Sequence, residues 1–137
     1  MKHALLILRI SLGWLFFYAG ITKILNPEWS AAGYLGSAKT FPELFSWFAT
    51  PANIGWVNFV NEWGLTLIGV ALILGIFVRW ASLGGIVLMA LYYFPVLDFP
   101  KIGDHSFIVD EHVIYALALW VLWAGDAGRF LGLDKRR

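Results

Sequence analysis

A carboxylate and two amides lie in an apolar stretch of the chain, where polar residues are rare. Glu62 follows Asn61 near the start of the apolar run 54–77, and Asn58 lies one helical turn earlier. A charged side chain at the centre of a membrane helix costs at least ~2.5 kcal/mol, so such a group usually has partners or a function. Proton transfer is one chemistry that a carboxylate in such a run can provide. The partners of Glu62 must come from other parts of the chain.

Three other apolar stretches carry polar residues at one end. Lys23 lies near the end of the first stretch, 4–25, and Tyr92-Tyr93 near the end of the third, 80–97. The fourth stretch, 107–124, carries Glu111, His112 and Tyr115 in its first turns, where residues three or four apart share a helix face. If the four stretches cross a membrane in alternating directions, their polar ends all lie in the same layer of that membrane.

The composition is that of an integral membrane protein. Of the 137 residues, 60% are apolar and only 14% are charged, against about 25% in soluble domains. The chain has no cysteine, which excludes disulfides, thiolate metal sites, iron–sulfur clusters and thiol relays. The net charge of +1 says nothing about nucleic acid, and no basic aromatic surface indicates it as a partner, so none is expected.

These stretches predict an all-α, integral membrane four-helix bundle formed by one domain, 1–137. The predicted spans are 4–25, 51–78, 80–97 and 107–124, and a very short turn at Arg79 makes the second and third an antiparallel pair. Caps at Asn26-Pro27 and Thr50-Pro51, with Pro42 between them, predict short interfacial helices in 26–50, a segment rich in aromatic residues. The tail 125–137 is expected at the membrane surface.

The distribution of cations predicts the orientation. The side that carries both termini collects Lys2, Arg9, Arg79, Arg129 and 135–137, whereas the opposite side has Lys23, Lys39 and Lys101. The positive-inside rule then places both termini in the cytoplasm, with the chain in the inner membrane of a prokaryote. The polar ends of the four spans lie in the outer layer, while Arg9 and Arg79 form a separate structural pair in the inner half.

A quinone head group matches the residue types of the outer layer, because it needs hydrogen-bond donors, an aromatic wall and a group that moves protons. Glu62, His112 and Glu111 could supply three metal ligands, but no pattern such as H-E-x-x-H supports a metal site. A haem is not expected either, since His112 is the one histidine well placed in a span. We predict Glu62, His112 and Lys23 as catalytic residues. The predicted ligand-binding residues are Asn58, Asn61, Tyr92, Tyr93, Glu111, Tyr115, Trp14, Tyr18 and Trp63. The alternative is that Glu62, Lys23 and His112 pair with one another as interhelical contacts alone.

The sequence resembles the DoxX/DoxD-like family over nearly its whole length. The resemblance rests on Arg9-Ile10-x-Leu12-Gly13 with Phe16, Ala19-Gly20 and Lys23, then Glu62-x-Gly64 through Gly69, Gly75 and Arg79, then Glu111-His112. It implies a four-helix membrane protein with cytoplasmic termini, and a link to the membrane subunit of thiosulfate:quinone oxidoreductase. No thiosulfate-binding pattern is recognised in the chain.

Three functions are consistent with these observations. The first is a quinone-interacting subunit of an oxidoreductase, which passes electrons from a sulfur compound such as thiosulfate to quinone. The second is a non-catalytic accessory or assembly subunit of a larger membrane complex, with other membrane subunits as partners besides the bilayer. The third is a small transporter that uses Glu62, although the chain lacks inverted repeats and broken helices.

Overall fold

The computed structural model describes residues 1–134 and is mostly helical. Residues 135–137, whose cations were predicted to lie in the cytoplasm, are outside the described residues. The elements are α1 (Lys2–Ile24), α2 (Ala32–Gly36), α3 (Pro42–Phe48), α4 (Ile54–Leu74), α5 (Val78–Val96), β1 (Leu97–Asp98), β2 (Lys101–Ile102), β3 (Ser106–Phe107) and α6 (Glu111–Ala124).

Glycines bring α1 and α4 into backbone contact. A Cβ atom added at Gly20 would lie 2.5 Å from the backbone nitrogen of Thr66, and one at Gly69 would lie 2.3 Å from that of Phe17. Gly13 likewise lies against Ile73 and the Gly69 carbonyl. Small residues permit such close approach of two helices. The predicted glycine stripe of the first helix is therefore confirmed as a packing surface.

The four longer helices pack around one core. α1 contacts α4 and α6, and α5 contacts α4 and α6. Phe16, Leu65, Leu72, Leu119 and Leu122 are almost completely buried at its centre. α4 and α5 are joined by Gly75–Phe77, with Gly75 in the left-handed conformation (φ +71°) that glycine adopts readily. The prediction of a turn at Arg79 was wrong, because Arg79 lies in the first turn of α5.

The short helices α2 and α3 close the carboxyl end of α5. The backbone N–H of Lys39 donates to the Pro95 carbonyl at 2.9 Å, and the Thr40 hydroxyl donates to the Leu97 carbonyl. These bonds satisfy carbonyls that a helix end leaves without partners. Helices between the first two long ones were predicted, and Pro42 does begin α3.

Two of the predicted helix starts were wrong. Asn26-Pro27 lies in turns, and α2 begins only at Ala32. Thr50-Pro51 is followed by another turn, so Asn53 precedes the first residue of α4. Thr50 instead donates its hydroxyl to the Trp47 carbonyl, which keeps it in the turn after α3.

Within residues 1–134, two helices are long and apolar enough to cross a membrane, α1 and α4. Only 28% of the apolar window of each is buried, so much of the apolar surface remains uncovered. α5 has 19 residues and α6 has 14. α6 begins at Glu111 rather than at 107 as predicted, because residues 97–107 form a small antiparallel sheet in the order β1-β2-β3. The sequence had suggested a loop there.

The segment 125–134, called the C-terminal segment below, folds back over the bundle. The buried Arg9 guanidinium donates to the carbonyls of Ala127 (2.8 Å), Phe130 (3.1 Å) and Leu131 (3.0 Å). The carboxylate of Asp134 accepts from the backbone N–H groups of Phe77 and Val78 at the start of α5. This segment therefore packs against both α1 and the α4–α5 turn.

The predicted structural pair of Arg9 and Arg79 is not formed. Arg9 binds the C-terminal segment, whereas Arg79 is exposed and lies over the Trp123 ring at 4.7 Å from its centre. The difference arises because residue 9 faces the bundle interior on α1 and residue 79 faces outward on α5.

Candidate functional site

A cavity of about 440 Å³ lies at the end of the bundle where α1 and α5 finish and α6 begins. Its volume is within the range of roughly 300–1,000 Å³ that small-molecule sites occupy. The small sheet and the turn before α2 close its sides. The residues that line it are Lys23, Trp29, Ser30, Ala31, Tyr34, Asn61, Tyr92, Val96, Ile102, Gly103, Ser106, Asp110, Glu111 and His112.

Asp110 holds His112 in a fixed orientation. Asp110 is the N-cap of α6, and its Oδ1 accepts from the backbone N–H groups of His112 (3.0 Å) and Val113 (3.3 Å). Its Oδ2 lies 2.8 Å from His112 Nδ1. A carboxylate accepts hydrogen bonds, so Nδ1 carries a proton in this pair. Nε2 is then the ring nitrogen that remains for a ligand.

Tyrosine and asparagine side chains line the cavity beside this pair. The Tyr92 hydroxyl donates to Asn61 Oδ1, and the Tyr34 hydroxyl donates to the backbone carbonyl of Tyr92. Asn61 also donates to the Val57 carbonyl at 2.9 Å, which fixes its amide. The Tyr92 ring meets the His112 ring edge to face, with centroids 6.0 Å apart. The imidazole therefore lies between an aromatic face and its carboxylate partner.

Burial and nearby negative charge keep the Tyr34 phenol protonated. Burial, and to a lesser extent the charges of Asp110 and Glu111, together raise the pKa of Tyr34 to about 12. Tyr34 is therefore a hydrogen-bond donor at neutral pH. This agrees with its bond to the Tyr92 carbonyl.

Lys23 supplies a positive charge to the cavity. Its Nζ donates to the Ala19 carbonyl at 3.2 Å and lies 5.4 Å from the centre of the Trp29 ring. In the described part of the chain no carboxylate lies within ion-pair distance of it. The side chain is half-buried, and its ammonium group contacts the end of α1 and the indole ring instead of a carboxylate.

Of the predicted catalytic residues, Lys23 and His112 line the cavity and Glu62 does not. The Glu62 backbone carbonyl lies against Gly20 and accepts from the Thr66 hydroxyl at 2.7 Å. Across residues 1–134, its side chain forms no ion pair with Lys23 or His112, so the predicted interhelical pairing is absent as well. Asn61, one residue earlier, occupies the position in the cavity expected for Glu62.

The predicted ligand-binding residues divide into three groups. Asn61, Tyr92 and Glu111 line the cavity. Asn58 does not line the cavity but binds two residues that do: its amide accepts from Ala31 N–H at 2.9 Å and donates to the Ser30 hydroxyl at 3.2 Å. The other five do not line it: Tyr93, Tyr115, Trp14, Tyr18 and Trp63.

These five residues have other environments. Trp14 and Tyr18 are exposed and contact each other on α1, and Trp63 is exposed beside Phe59 on α4. Tyr93 donates its hydroxyl to the Ile108 carbonyl. Tyr115 packs against the core of the bundle. These five residues therefore lie outside the cavity that His112 lines.

Asp110 and Tyr34 are among the lining residues that were not predicted. The position of Asp110 just before an apolar helix is a recognisable N-cap signal. Its spacing of two residues from His112 also permits the ring contact. Nothing local in the sequence indicates Tyr34, because its contacts with Tyr92 and the cavity depend on how α2 packs on α5.

No group of three histidine or acidic side chains within the described range 1–134 is arranged to hold a metal ion. The charged part of the cavity is instead the pair of Asp110 and His112, with Glu111 beside it and Lys23 across from it.

The DoxX family model matches residues 4–97, well over half of the chain. The chain belongs to the DoxX family. DoxX proteins are membrane proteins, and the match covers α4 and all but the first two residues of α1, the two helices within residues 1–134 that are able to span a membrane. The Lys23, Asn61 and Tyr92 wall of the cavity lies in the matched DoxX region, whereas Asp110 and His112 follow it. Neither the curated proteins nor the solved structures compared with the chain give a match.

Proposed function

We propose that this DoxX protein is a quinone-interacting subunit of a membrane oxidoreductase. The observation that carries the proposal is the cavity in which His112, bound to Asp110, faces the Tyr92–Asn61 pair and Lys23. It combines a proton-exchanging ring, neutral donors and a cation in one site. These are the groups that a flat ring with two carbonyl oxygens requires.

The donor set fits a quinone ring. Tyr92 and Trp29 supply aromatic surface, while His112 Nε2 and the Lys23 ammonium are the polar groups that would reach the carbonyl oxygens. A bound quinone supplies the electron-accepting chemistry, since the ring takes up two electrons and two protons to become a quinol. The electrons come from a donor of the sulfur-compound class, such as thiosulfate, in which two molecules join through a new S–S bond.

His112 is the residue we assign to proton transfer. Asp110 holds the proton on Nδ1, so the ring gains and loses its second proton at Nε2. The carboxylate at 2.8 Å keeps the neutral ring in one tautomer. Exposed Glu111, the next residue along, lies at the cavity wall and is placed to exchange protons with water.

Lys23 is the residue we assign to charge stabilisation. Negative charge develops on the ring oxygens as electrons arrive, and a cation held near them favours that state. The ammonium has no carboxylate partner among residues 1–134, so its charge is available to a ligand. Its hydrogen bond to Ala19 and contact with Trp29 limit the positions it adopts.

The proposal includes a membrane arrangement with four crossings. α1 and α4 meet the length and apolarity needed for a span, and α5 and α6 pack beside them in the same bundle. Cationic Lys2, Arg79 and Arg129 are at the opposite end from the cavity, which supports cytoplasmic termini in a prokaryotic inner membrane. The cavity then opens towards the outer side, where α2 and α3 lie at the interface.

A second candidate function is that of an accessory or assembly subunit. It is favoured by uncovered apolar side chains at α3, where Leu44 and Trp47 are exposed, as is Phe41 just before the helix. An apolar face on a short helix outside the long helices is typical of a contact with another membrane subunit. In that case the cavity groups stabilise the bundle and bind no quinone.

Quinone binding by the purified full chain tests the proposal. The probe is a methyl-substituted benzoquinone without a long tail, and calorimetry measures its Kd. We expect His112→Gln to weaken binding about tenfold, the loss typical of one hydrogen bond. The matched control is His105→Gln, since His105 is exposed and does not line the cavity.

Glu62→Gln completes the series, because the sequence and the structure give different expectations for it. With Glu62 outside the cavity, this variant is expected to bind the probe as the wild-type protein does. Absence of binding by the wild-type protein, or equal binding by His112→Gln, would reject the quinone site and favour the accessory function.

A further inference from the structure

A second, apolar pocket adjoins the cavity through a shared wall. Its volume is about 90 Å³, and Ala31, Tyr34, Asn61 and Tyr92 line both spaces. Hence the Tyr92–Asn61 hydrogen bond lies where the polar cavity and the apolar pocket meet. The other residues that line the pocket are Leu35, Phe45, Phe48, Trp56, Val57, Val60, Leu88 and Leu91.

Polarity decreases from the shared wall outward. The polar side chains common to both spaces are Tyr34, Asn61 and Tyr92. Beyond them the lining is apolar, apart from the Trp56 indole N–H, which already donates to Asn53 Oδ1 at 3.0 Å. A ligand that follows this path must therefore change from polar to apolar along its length.

The outer end of the pocket reaches the apolar surface of the bundle. Trp56, Val60 and Leu91 line the pocket and are 48%, 47% and 40% exposed. Val60 belongs to α4, a helix long and apolar enough to span a membrane. The path from the cavity therefore ends on a surface that the bilayer covers in the proposed arrangement.

We propose that this pocket binds the first part of the hydrophobic chain of an amphipathic ligand whose ring occupies the cavity. The inference rests on the proposed function and narrows its substrate class to ring compounds that carry a long apolar tail. The ring lies beside His112, the chain passes the Tyr92–Asn61 pair, and the chain enters the bilayer between Val60 and Leu91. The pocket thereby selects long-chain quinones over the free ring.

Two probes that differ only in the chain test this assignment. One is a decyl-substituted benzoquinone, and the other is the same ring with a methyl group in place of the decyl chain. The pocket is filled by Val60→Trp, and the matched control is Val87→Trp, at an exposed valine of α5 that does not line the pocket. Calorimetry on the full chain in detergent micelles gives Kd for each pair.

Val60→Trp is expected to raise Kd for the decyl probe about tenfold or more, as when two buried methylene groups lose their contacts. Binding of the methyl probe should not change, and Val87→Trp should change neither value. Leu91→Trp repeats the test from α5 if the first variant does not fold, because Leu91 also lines the pocket and is partly exposed.

Unchanged decyl binding in the filled variants, or an equal loss for both probes, overturns the chain assignment. Such a result leaves the proposed function standing as long as the methyl probe binds and depends on His112. Failure of the wild-type protein to bind either probe rejects the proposed function and the chain site together. A decyl probe that binds without dependence on His112 identifies the pocket as a site for lipid chains alone, which also overturns the inference.

Discussion

The Asp110 carboxylate binds His112 twice, through the backbone N–H at 3.0 Å and through ring Nδ1 at 2.8 Å. One side chain therefore both starts α6 and orients the imidazole at the cavity. The two effects can be separated, because asparagine is as good an N-cap as aspartate but presents an amide to the ring. Substitutions at this position distinguish a structural cap from a positioning residue.

Asp110→Asn is expected to preserve stability and reverse the imidazole tautomer. The amide oxygen is needed by the backbone N–H groups of His112 and Val113, so the amide NH₂ faces Nδ1 and moves the ring proton to Nε2. Nitrogen NMR of the ring measures this change. Asp110→Ala should also lose the cap, at about 1 kcal/mol of stability.

The control for this pair is Asp104→Asn, at an exposed position in the turn between β2 and β3 that does not line the cavity. It should alter neither the tautomer nor the stability. Retention of the proton on Nδ1 in Asp110→Asn would contradict the orienting role. The effect of Asp110 would then be that of a helix cap alone.

Gly20→Ala is expected to destabilise the bundle by about 1–3 kcal/mol, because its methyl group overlaps the backbone of α4. The added Cβ would lie 2.5 Å from Thr66 N and 2.9 Å from the Glu62 carbonyl, neither of which can rotate away. Thermal unfolding of the purified protein measures the loss. In Gly55→Ala, the matched change at the start of α4, nothing lies within 4 Å of the new atom.

Gly55→Ala should therefore leave stability unchanged or raise it by up to about 1 kcal/mol, since alanine is the better helix former. Similar unfolding temperatures for the two variants would show that α1 and α4 are not in backbone contact at Gly20.

The raised pKa of Tyr34 predicts that the protein loses stability at high pH. Its pKa is raised from 10.0 to about 12, mainly by burial and further by Asp110 and Glu111. A raised pKa means that the fold favours the protonated phenol, so this stabilisation is complete below pH 10 and is lost as pH rises through about 12. Ultraviolet absorbance of tyrosinate follows the titration, and unfolding at each pH follows the stability.

In Tyr34→Phe the absorbance step near pH 12 should become smaller. Tyr18→Phe removes an exposed tyrosine and provides the control. A step of the same size in both variants would place the raised pKa on another residue.

The helices and their closest contact could be predicted from the sequence. Gly13 and Gly20 share one face of α1 and Gly69 lies on α4, and small residues on a helix face permit close packing where two helices meet. The lengths of the apolar stretches likewise indicated the two helices α1 and α4. Both signals are local, because they depend on residue type and spacing and not on the path of the rest of the chain.

The rotation of each helix could not be predicted in the same way. Neighbouring residues on a helix differ by about 100° in direction, so a cavity that receives Asn61 does not receive Glu62. Which of the two faces the cavity depends on the contact of α1 with α4 at Gly20 and Thr66. The strands β1 to β3 have two residues each, too few to show an alternating pattern.

The contact of Arg9 with the C-terminal segment has a consequence for biosynthesis. The guanidinium and its acceptors are separated by 118 to 122 positions in the chain. When the ribosome has just synthesised α1, the carbonyl groups that Arg9 binds have therefore not yet been made. Until α6 and residues 127–131 follow, Arg9 must remain hydrated, bind lipid phosphate or be covered by the insertion machinery. The last described turns of the chain thus complete the burial of a charge that was present from the first helix.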